Sequence, residues 1–405
     1  MHHRHRALLG FATVVVLAAC EDNQPIPTSL TRVRPSLDRD VAFDSTTIPP
    51  QGPYVAVDVG TFGGQLAQAN AINNDGLVVG KGNDTAGVTH AFLWQNGVLQ
   101  DLGSLGGTFS EANDVNNEGD IVGTSTTADG VRTVVIWQNG VIRALGALWS
   151  TSLLPKMNQS GDVTWTGPTP TGPRAFLWHA GVIQDLGTLG GPTSVAGGIN
   201  DAGQVFGGSS TGTQSDAFVW TDGAMQDIPS PVPGAAISAN AMNNRGWVAG
   251  TIRVSGASPW QKAFVWNGQS VSLIPVFGRP DTNGIGSAIT ERGDVYGFDF
   301  NLGGDFLHPF VWTHGTLLPL NPDKTDQHML AVNDHGVATG WEVVINCCTE
   351  HPIVLDHGSS WDLGAFSGAR FEASEGLNLN AQGDVVGFSY GADGRNHAAL
   401  WRRTP

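Results

Sequence analysis

Ile72-Asn73-Asn74-Asp75-Gly76-Leu77-Val78-Val79-Gly80 decides how this chain must be read. An apolar residue and Asn lead into a turn glycine, and a Val-rich run then closes on a second glycine. The phrase returns with its turn glycine at Gly119, Gly161, Gly203, Gly246, Gly293, Gly336 and Gly383, so eight copies follow one another at intervals of 42 to 47 residues. A sustained period in this range belongs to a propeller blade or a solenoid unit, so architecture can be argued before chemistry. Asn-Asn-Asp-Gly suits a type I turn ended by a left-handed glycine, which makes the phrase a hairpin of two strands, A and B.

About fifteen residues further on stands His90-Ala91-Phe92-Leu93-Trp94, apolar on both faces of an extended strand, C. Such a strand fits a sheet packed between two neighbours. The turn Gln95-Asn96-Gly97 leads into strand D, which ends in Asp101. The strand-C tryptophan recurs at Trp137, Trp178, Trp220, Trp266, Trp312 and Trp401, with Leu355 in the seventh unit, and is read as packing between sheets. The repeated Asn is read as a turn residue bonding its own backbone, and the strand-D aspartates as acceptors for local backbone donors.

The chain ends just after Trp401, which leaves eight A-B-C sets and seven D strands. The missing D lies at the other end, where Asp58-Val59-Gly60 matches Asp101-Leu102-Gly103. The expectation is therefore an all-β, eight-bladed β-propeller of four-stranded antiparallel blades, closed by the N-terminal strand joining the last blade. Closure of this kind leaves no open sheet ends. A parallel β-helix is the structural alternative, but it does not call for two hairpin turns per repeat.

Composition agrees: 55 Gly, 22 Pro and 14% charged residues suit short strands and turns, and 36 acidic against 20 basic residues give a net charge of −16. That surface repels phosphate backbones, so nucleic acid is excluded as a partner class. Before the repeats, Arg4 and Arg6 precede an apolar stretch, 7–19, that ends Leu17-Ala18-Ala19-Cys20. Thirteen residues are too few to span a bilayer. The ending resembles the lipobox of bacterial lipoproteins, which implies lipidation at Cys20 and a membrane partner reached through that anchor. The expected organisation is a lipoprotein signal peptide, 1–20, a disordered Pro-rich tether, 21–53, and a propeller, 54–405. The expected localisation is exported, at the cell surface or in the periplasm.

Asp185-Leu186-Gly187-Thr188-Leu189-Gly190-Gly191, Ile199-Asn200 with Gly203, and His90-Ala91-Phe92 together resemble the HAF-repeat family of extracellular proteins. The resemblance covers 54–405 and implies secretion or surface display without a defined reaction. The trio drifts to Arg174-Ala175-Phe176, Asp216-Ala217-Phe218 and His308-Pro309-Phe310, so its His is not a catalytic requirement.

Length variation locates a working face. The A–B and C–D hairpins keep constant length, while the B–C and D–A connections absorb every insertion, and in an up-and-down sheet those two emerge at one end. The least regular are 251–262, 275–286, 298–307 and 341–350. Candidate ligand-binding residues there are Trp149, Trp260, Arg279, Asp281, Asp299, Asp305 and Arg370, an aromatic and polar set suited to a glycan or a protein ligand. Cys347-Cys348 reads as a strained vicinal disulfide or as two thiols; with Glu350, His351 and His357 nearby it matches no zinc spacing. No catalytic motif, resident metal or cofactor is expected. The leading reading is a non-catalytic binding scaffold at the cell envelope. Alternatives are a secreted glycan-directed enzyme using acids among the variable loops, and a structural or adhesion protein.

Overall fold

The computed structural model describes residues 52–254, 256, 260–277, 282–300, 308–321, 327–343, 350–366 and 374–404. These residues form an all-β structure in which every unit folds as a four-stranded antiparallel sheet. Unit 1 runs Gly63–Ile72, Val78–Asp84, Thr89–Gln95 and Val98–Asp101, as strands A to D. Units 2 and 3 continue from Gly106–Val115 to Val141–Ala147 and from Lys156–Met157 to Val182–Asp185. In unit 8 the fourth strand is supplied by Tyr54–Gly60, antiparallel to Asn396–Arg403 with Ala56 opposite Trp401. The only parallel strand pairings among the described residues are single-residue bridges such as Leu66 to Asn396 and Thr89 to Phe109, which excludes a parallel β-helix.

Turn chemistry sets these hairpins. At the A–B turn, Gly76 N donates to Asn73 O (3.1 Å) with Gly76 at φ +76°. At the C–D turn both central residues have positive φ, Asn96 at 50° and Gly97 at 83°, the type I′ geometry that matches strand twist. The glycine closing strand B has a different cause. A Cβ on Gly80, Gly123, Gly207, Gly250 or Gly297 would stand 2.0–2.1 Å from the carbonyl of the facing strand A, just before its bulge. Unit 3 carries Trp165 there, and its strand A is cut to Lys156–Met157, so the colliding segment is unpaired.

No single core exists. Buried apolar side chains fall into clusters shared by successive sheets: Ala71, Val79 and Ala91 of unit 1 pack with Ile121, Val135 and Trp137 of unit 2. The same arrangement joins Val57, Val59 and Leu400 of unit 8 to Ala69, Val78 and Trp94 of unit 1. Side chains of the strand-C series are therefore packing elements, and Trp137 and Trp401 also donate their indole N–H to Leu102 O (2.9 Å) and Leu363 O (3.0 Å) of the preceding unit.

The repeated Asn does more than hold its own turn. Asn73 Oδ1 accepts from Asp75 N (3.0 Å) and Leu77 N (2.9 Å), while its Nδ2 donates to Asn116 O (2.9 Å) in the next unit. Asn158, Asn200, Asn243 and Asn333 donate in the same way to Asn200 O, Asn243 O, Thr290 O and Asn380 O. Asn380 Nδ2 then returns to Asn73 O (3.2 Å), 307 residues back. A second row runs beside it, with Asn74 N on Asn117 Oδ1 and Ala381 N on Asn74 Oδ1.

Candidate functional site

Antiparallel pairing puts the constant A–B and C–D turns at one end of each sheet and the variable B–C and D–A connections at the other. At the variable end, one side chain of strand B pins the incoming D–A connection. Ser125, Ser209 and Ser389 each accept the N–H of Leu105, Leu189 or Phe366 through Oγ at 2.9 Å. Asp299 stands at the equivalent position in unit 6. It accepts Phe277 N (2.8 Å) and faces His308 Nδ1 (3.0 Å), with no exposed surface. Burial pushes its carboxyl up, while those bonds pull it back. Asp299 therefore anchors a connection and offers no group to a ligand. Trp149 is half exposed (50%), its N–H bonded to Thr166 O; Trp260 is partly buried, its carbonyl accepting Val254 N. Arg279, Asp281, Asp305, Arg370, Cys20, Cys347 and Cys348 lie outside the described residues.

The strand-D aspartates take the local role expected of them, since Asp58, Asp101, Asp185 and Asp362 accept Gly60, Gly103, Gly187 and Gly364 N at 2.8–2.9 Å. They also hold the strand-C histidine. His90 Nδ1 lies 2.8 Å from Asp101, and His351 Nδ1 2.9 Å from Asp362. His397 is gripped from both sides, Nδ1 at 2.8 Å from Asp58 and Nε2 at 3.1 Å from Asp393. A carboxylate only accepts, so contacts to carboxylates at both ring nitrogens favour the doubly protonated imidazolium form of His397. The bond to Asp101 raises His90 above the ordinary histidine value, and the bond to Asp58 does the same for His397.

A grouping of aromatic and titratable side chains at this end spans units 6 to 8. His328 is stacked on Trp341, centroids 3.7 Å apart and planes 18° off parallel, and Phe298 leans against His328 at a tilt, centroids 5.0 Å apart. Burial drives the His328 pKa down to about 4, so the imidazole is neutral at pH 7. In unit 8, Glu375 stands in the register position that His328 holds in unit 7, and its side chain hydrogen-bonds Glu350. Burial, then the adjacent Glu350 charge, pushes Glu375 up to about 7. A proton shared by two carboxyl groups is held there near neutrality.

None of these five residues is among the candidate ligand-binding residues named from sequence, although Phe298, Trp341 and Glu350 bound the irregular connections 298–307 and 341–350, and Glu350 is also weighed beside the cysteines. A signal existed: Phe298, Trp341 and Phe388 directly follow the strand-B glycine in three consecutive units, where Lys81, Thr124 and Thr251 stand elsewhere. Lys81 there makes a buried ion pair with Glu111 of the next unit (2.9 Å). Among the described residues, no group of three or more His, Cys, Asp or Glu side chains is arranged to hold a metal, and no helix is long and apolar enough to cross a membrane.

No family model matches the chain, and no curated protein matches its sequence. Among solved structures it is similar to the beta-propeller domain of the Trilobed protease from Pyrococcus furiosus, at 11% identity over 75% of this chain and 97% of that one, with a TM-score of 0.49. It is also similar to Pyrococcus horikoshii acylaminoacyl peptidase, at 11% identity and TM-score 0.45, covering 82% of this chain but 58% of that protein. TolB from Acinetobacter baumannii follows, at 11% identity over 70% of this chain and 80% of that one, with a TM-score of 0.36. Identities this low carry no site residue from those proteins to this one.

Proposed function

We propose that the eight sheets are the blades of a closed β-propeller that serves as a non-catalytic binding scaffold, exported and tethered to a bacterial membrane through a lipid on Cys20. The row of amide bonds that returns from Asn380 to Asn73 supports closure, as does the apolar cluster shared by units 8 and 1. The Leu17-Ala18-Ala19-Cys20 ending supports lipidation, and the His-Ala-Phe phrases support a place among HAF-repeat proteins.

The single observation behind binding is the asymmetry between the ends of the sheets. One end repeats the same turns, whereas the other carries the length changes together with Phe298, His328, Trp341, Glu350 and Glu375. A flat aromatic stack beside a carboxyl pair suits a sugar ring or an extended peptide, apolar on one face and hydrogen-bonding at its edge. The test is a glycan and peptide array probed with the whole chain carrying Cys20→Ser. Binding that weakens about tenfold or more in Trp341→Ala supports the reading, whereas binding unmoved by that change removes this face from it. Metabolic labelling with palmitate, lost in Cys20→Ser, tests the anchor.

The second reading, a glycan-directed enzyme, has the hydrogen-bonded Glu350–Glu375 pair in its favour, with Glu375 pushed up to about 7. Directly hydrogen-bonded carboxyl groups are nevertheless closer than the roughly 5 Å or more that glycoside hydrolysis requires between its two acids. The scaffold reading is therefore preferred. An adhesion role would show as binding to whole envelopes without any array signal.

A further inference from the structure

We propose that the outer edge of strand D in unit 2, Val141–Ala147, is a second docking surface, one that takes an extended peptide carrying an apolar side chain flanked by carboxylates. The surface lies at the junction of units 2 and 3, away from the aromatic stack of units 6 to 8, and does not depend on it.

Three independent observations meet here. Strand D has three or four residues in units 1 and 3 to 7, but seven in unit 2, bulged opposite Val134 and Val135. Its outer side pairs with no strand among the described residues. A long unpaired edge presents a row of backbone donors and acceptors to which another strand can add; among the described residues unit 8, with Tyr54–Gly60, has a strand D of the same length, and the short edges of the other units deny that possibility.

Beside this edge lies an apolar cleft of about 150 Å³, lined by Leu145, Trp165, Pro168, Phe176 and Ile183. It arises where Trp165 replaces the repeated glycine: the indole stacks on Phe176 (5.4 Å, 21°) and leaves the gap to unit 2 incompletely filled. A space of this size holds one aromatic ring or one branched aliphatic side chain. Ile183 lines its mouth and is 48% exposed.

Charge supplies the third. Arg143 and Arg174 sit on two of the strands that line the cleft, and neither forms an ion pair among the described residues, in a chain of net charge −16. Arg143 is exposed on the edge strand itself, while Arg174 Nε on the adjoining unit donates to Pro192 O (3.2 Å). Arginine without an ion-pair partner beside an edge strand fits an acidic segment, since its guanidinium pairs with carboxylates in a fixed geometry. Backbone addition gives affinity, while the cleft and the arginines select the side chains.

The test uses the whole chain and three synthetic peptides: Ac-Glu-Val-Phe-Val-Glu-NH2, its Phe-to-Ala form, and its Glu-to-Lys form. Titration calorimetry measures affinity, and hydrogen exchange locates the contact. The first peptide is expected to bind at least about tenfold more tightly than either other form, and to protect amides of 141–147. Ile183→Asp and Arg143→Glu, both at exposed positions, should each weaken it about fivefold or more with an unchanged melting temperature. Val98→Asp, at the exposed first residue of strand D in unit 1, the register counterpart of Val141 and Val182, should leave affinity unchanged. Equal affinity for all three peptides, protection elsewhere, or indifference to Ile183→Asp would overturn the proposal. Self-association abolished by Ile183→Asp would overturn it too, by replacing the peptide with a second copy of the chain.

Discussion

Single residues in this molecule are constrained chiefly by how closely backbones approach. Gly123 illustrates the point, because a Cβ there would lie 2.0 Å from Glu111 O. Gly123→Ala is expected to cost roughly 2–4 kcal/mol, read as a lowered urea midpoint with unchanged slope. The opposite sign is expected at Ala180, which occupies the left-handed turn position (φ 49°) that Asn96 and Asn139 fill in units 1 and 2. Ala180→Asn should add about 0.5–1 kcal/mol, and a loss of stability would contradict that account.

Titration belongs to the residue scale as well. His90 and His397 have folded pKa values raised above the unfolded one, so the stability they supply is complete below about pH 6.5 and fades as pH rises through the folded values. Glu375, raised to about 7 from an unfolded value near 4.5, binds its proton more tightly when folded, so its burial costs more as pH climbs from 4.5 through 7. His328, held down at about 4, acts in the opposite direction and removes stability as pH falls below about 6.5. Chemical denaturation at pH 6 and pH 8.5 should show Glu375→Gln stabilising the protein at the higher pH, by on the order of a kcal/mol or more. Equal effects at both pH values would mean that the pair shares no proton.

At the scale of elements, the four-stranded unit is legible almost entirely in sequence. Turn glycine, strand-B valines and strand-C tryptophan occur in a fixed order, and each marks a local conformational need. Less legible was the second half of the Asn role: the Oδ1 bonds within the turn are local, but the Nδ2 bond to the next unit depends on how two sheets face each other. The terminal strand is the element most open to test. It contributes buried Tyr54, Val57 and Val59 and pairs along its length with Asn396–Arg403. Deleting Tyr54–Gly60 should remove about 5 kcal/mol or more of apolar burial, seen as a sharply lower melting temperature. An unchanged transition would show that unit 8 stands without it.

For the molecule as a whole, stability is distributed over the interfaces between neighbouring sheets, with no centre to defend. The two ends of the described chain lie together, with Thr404 N donating to Pro53 O (2.7 Å). A circular permutant of 53–404 that joins Thr404 to Pro53 by a short linker and opens the 211–214 turn should therefore fold with nearly the melting temperature of the unpermuted 53–404 chain. Failure to fold would count against the closed ring we propose.

What the sequence determined by itself was the repeat, its four strands and the N-terminal strand as partner of the last unit, because turn φ angles, strand alternation and strand count are local or additive properties. Which carboxyl groups are tied into the framework and which pair with one another was decided only in three dimensions. Asp299 looks free as a loop-edge acid, yet it is consumed by Phe277 N and His308, while Glu375 and Glu350, 25 residues apart and in different units, share a proton. The physical reason is that burial and hydrogen-bond partners of a charged side chain are set by the neighbouring sheet, and a repeat pattern fixes that neighbour's backbone without fixing its side chains.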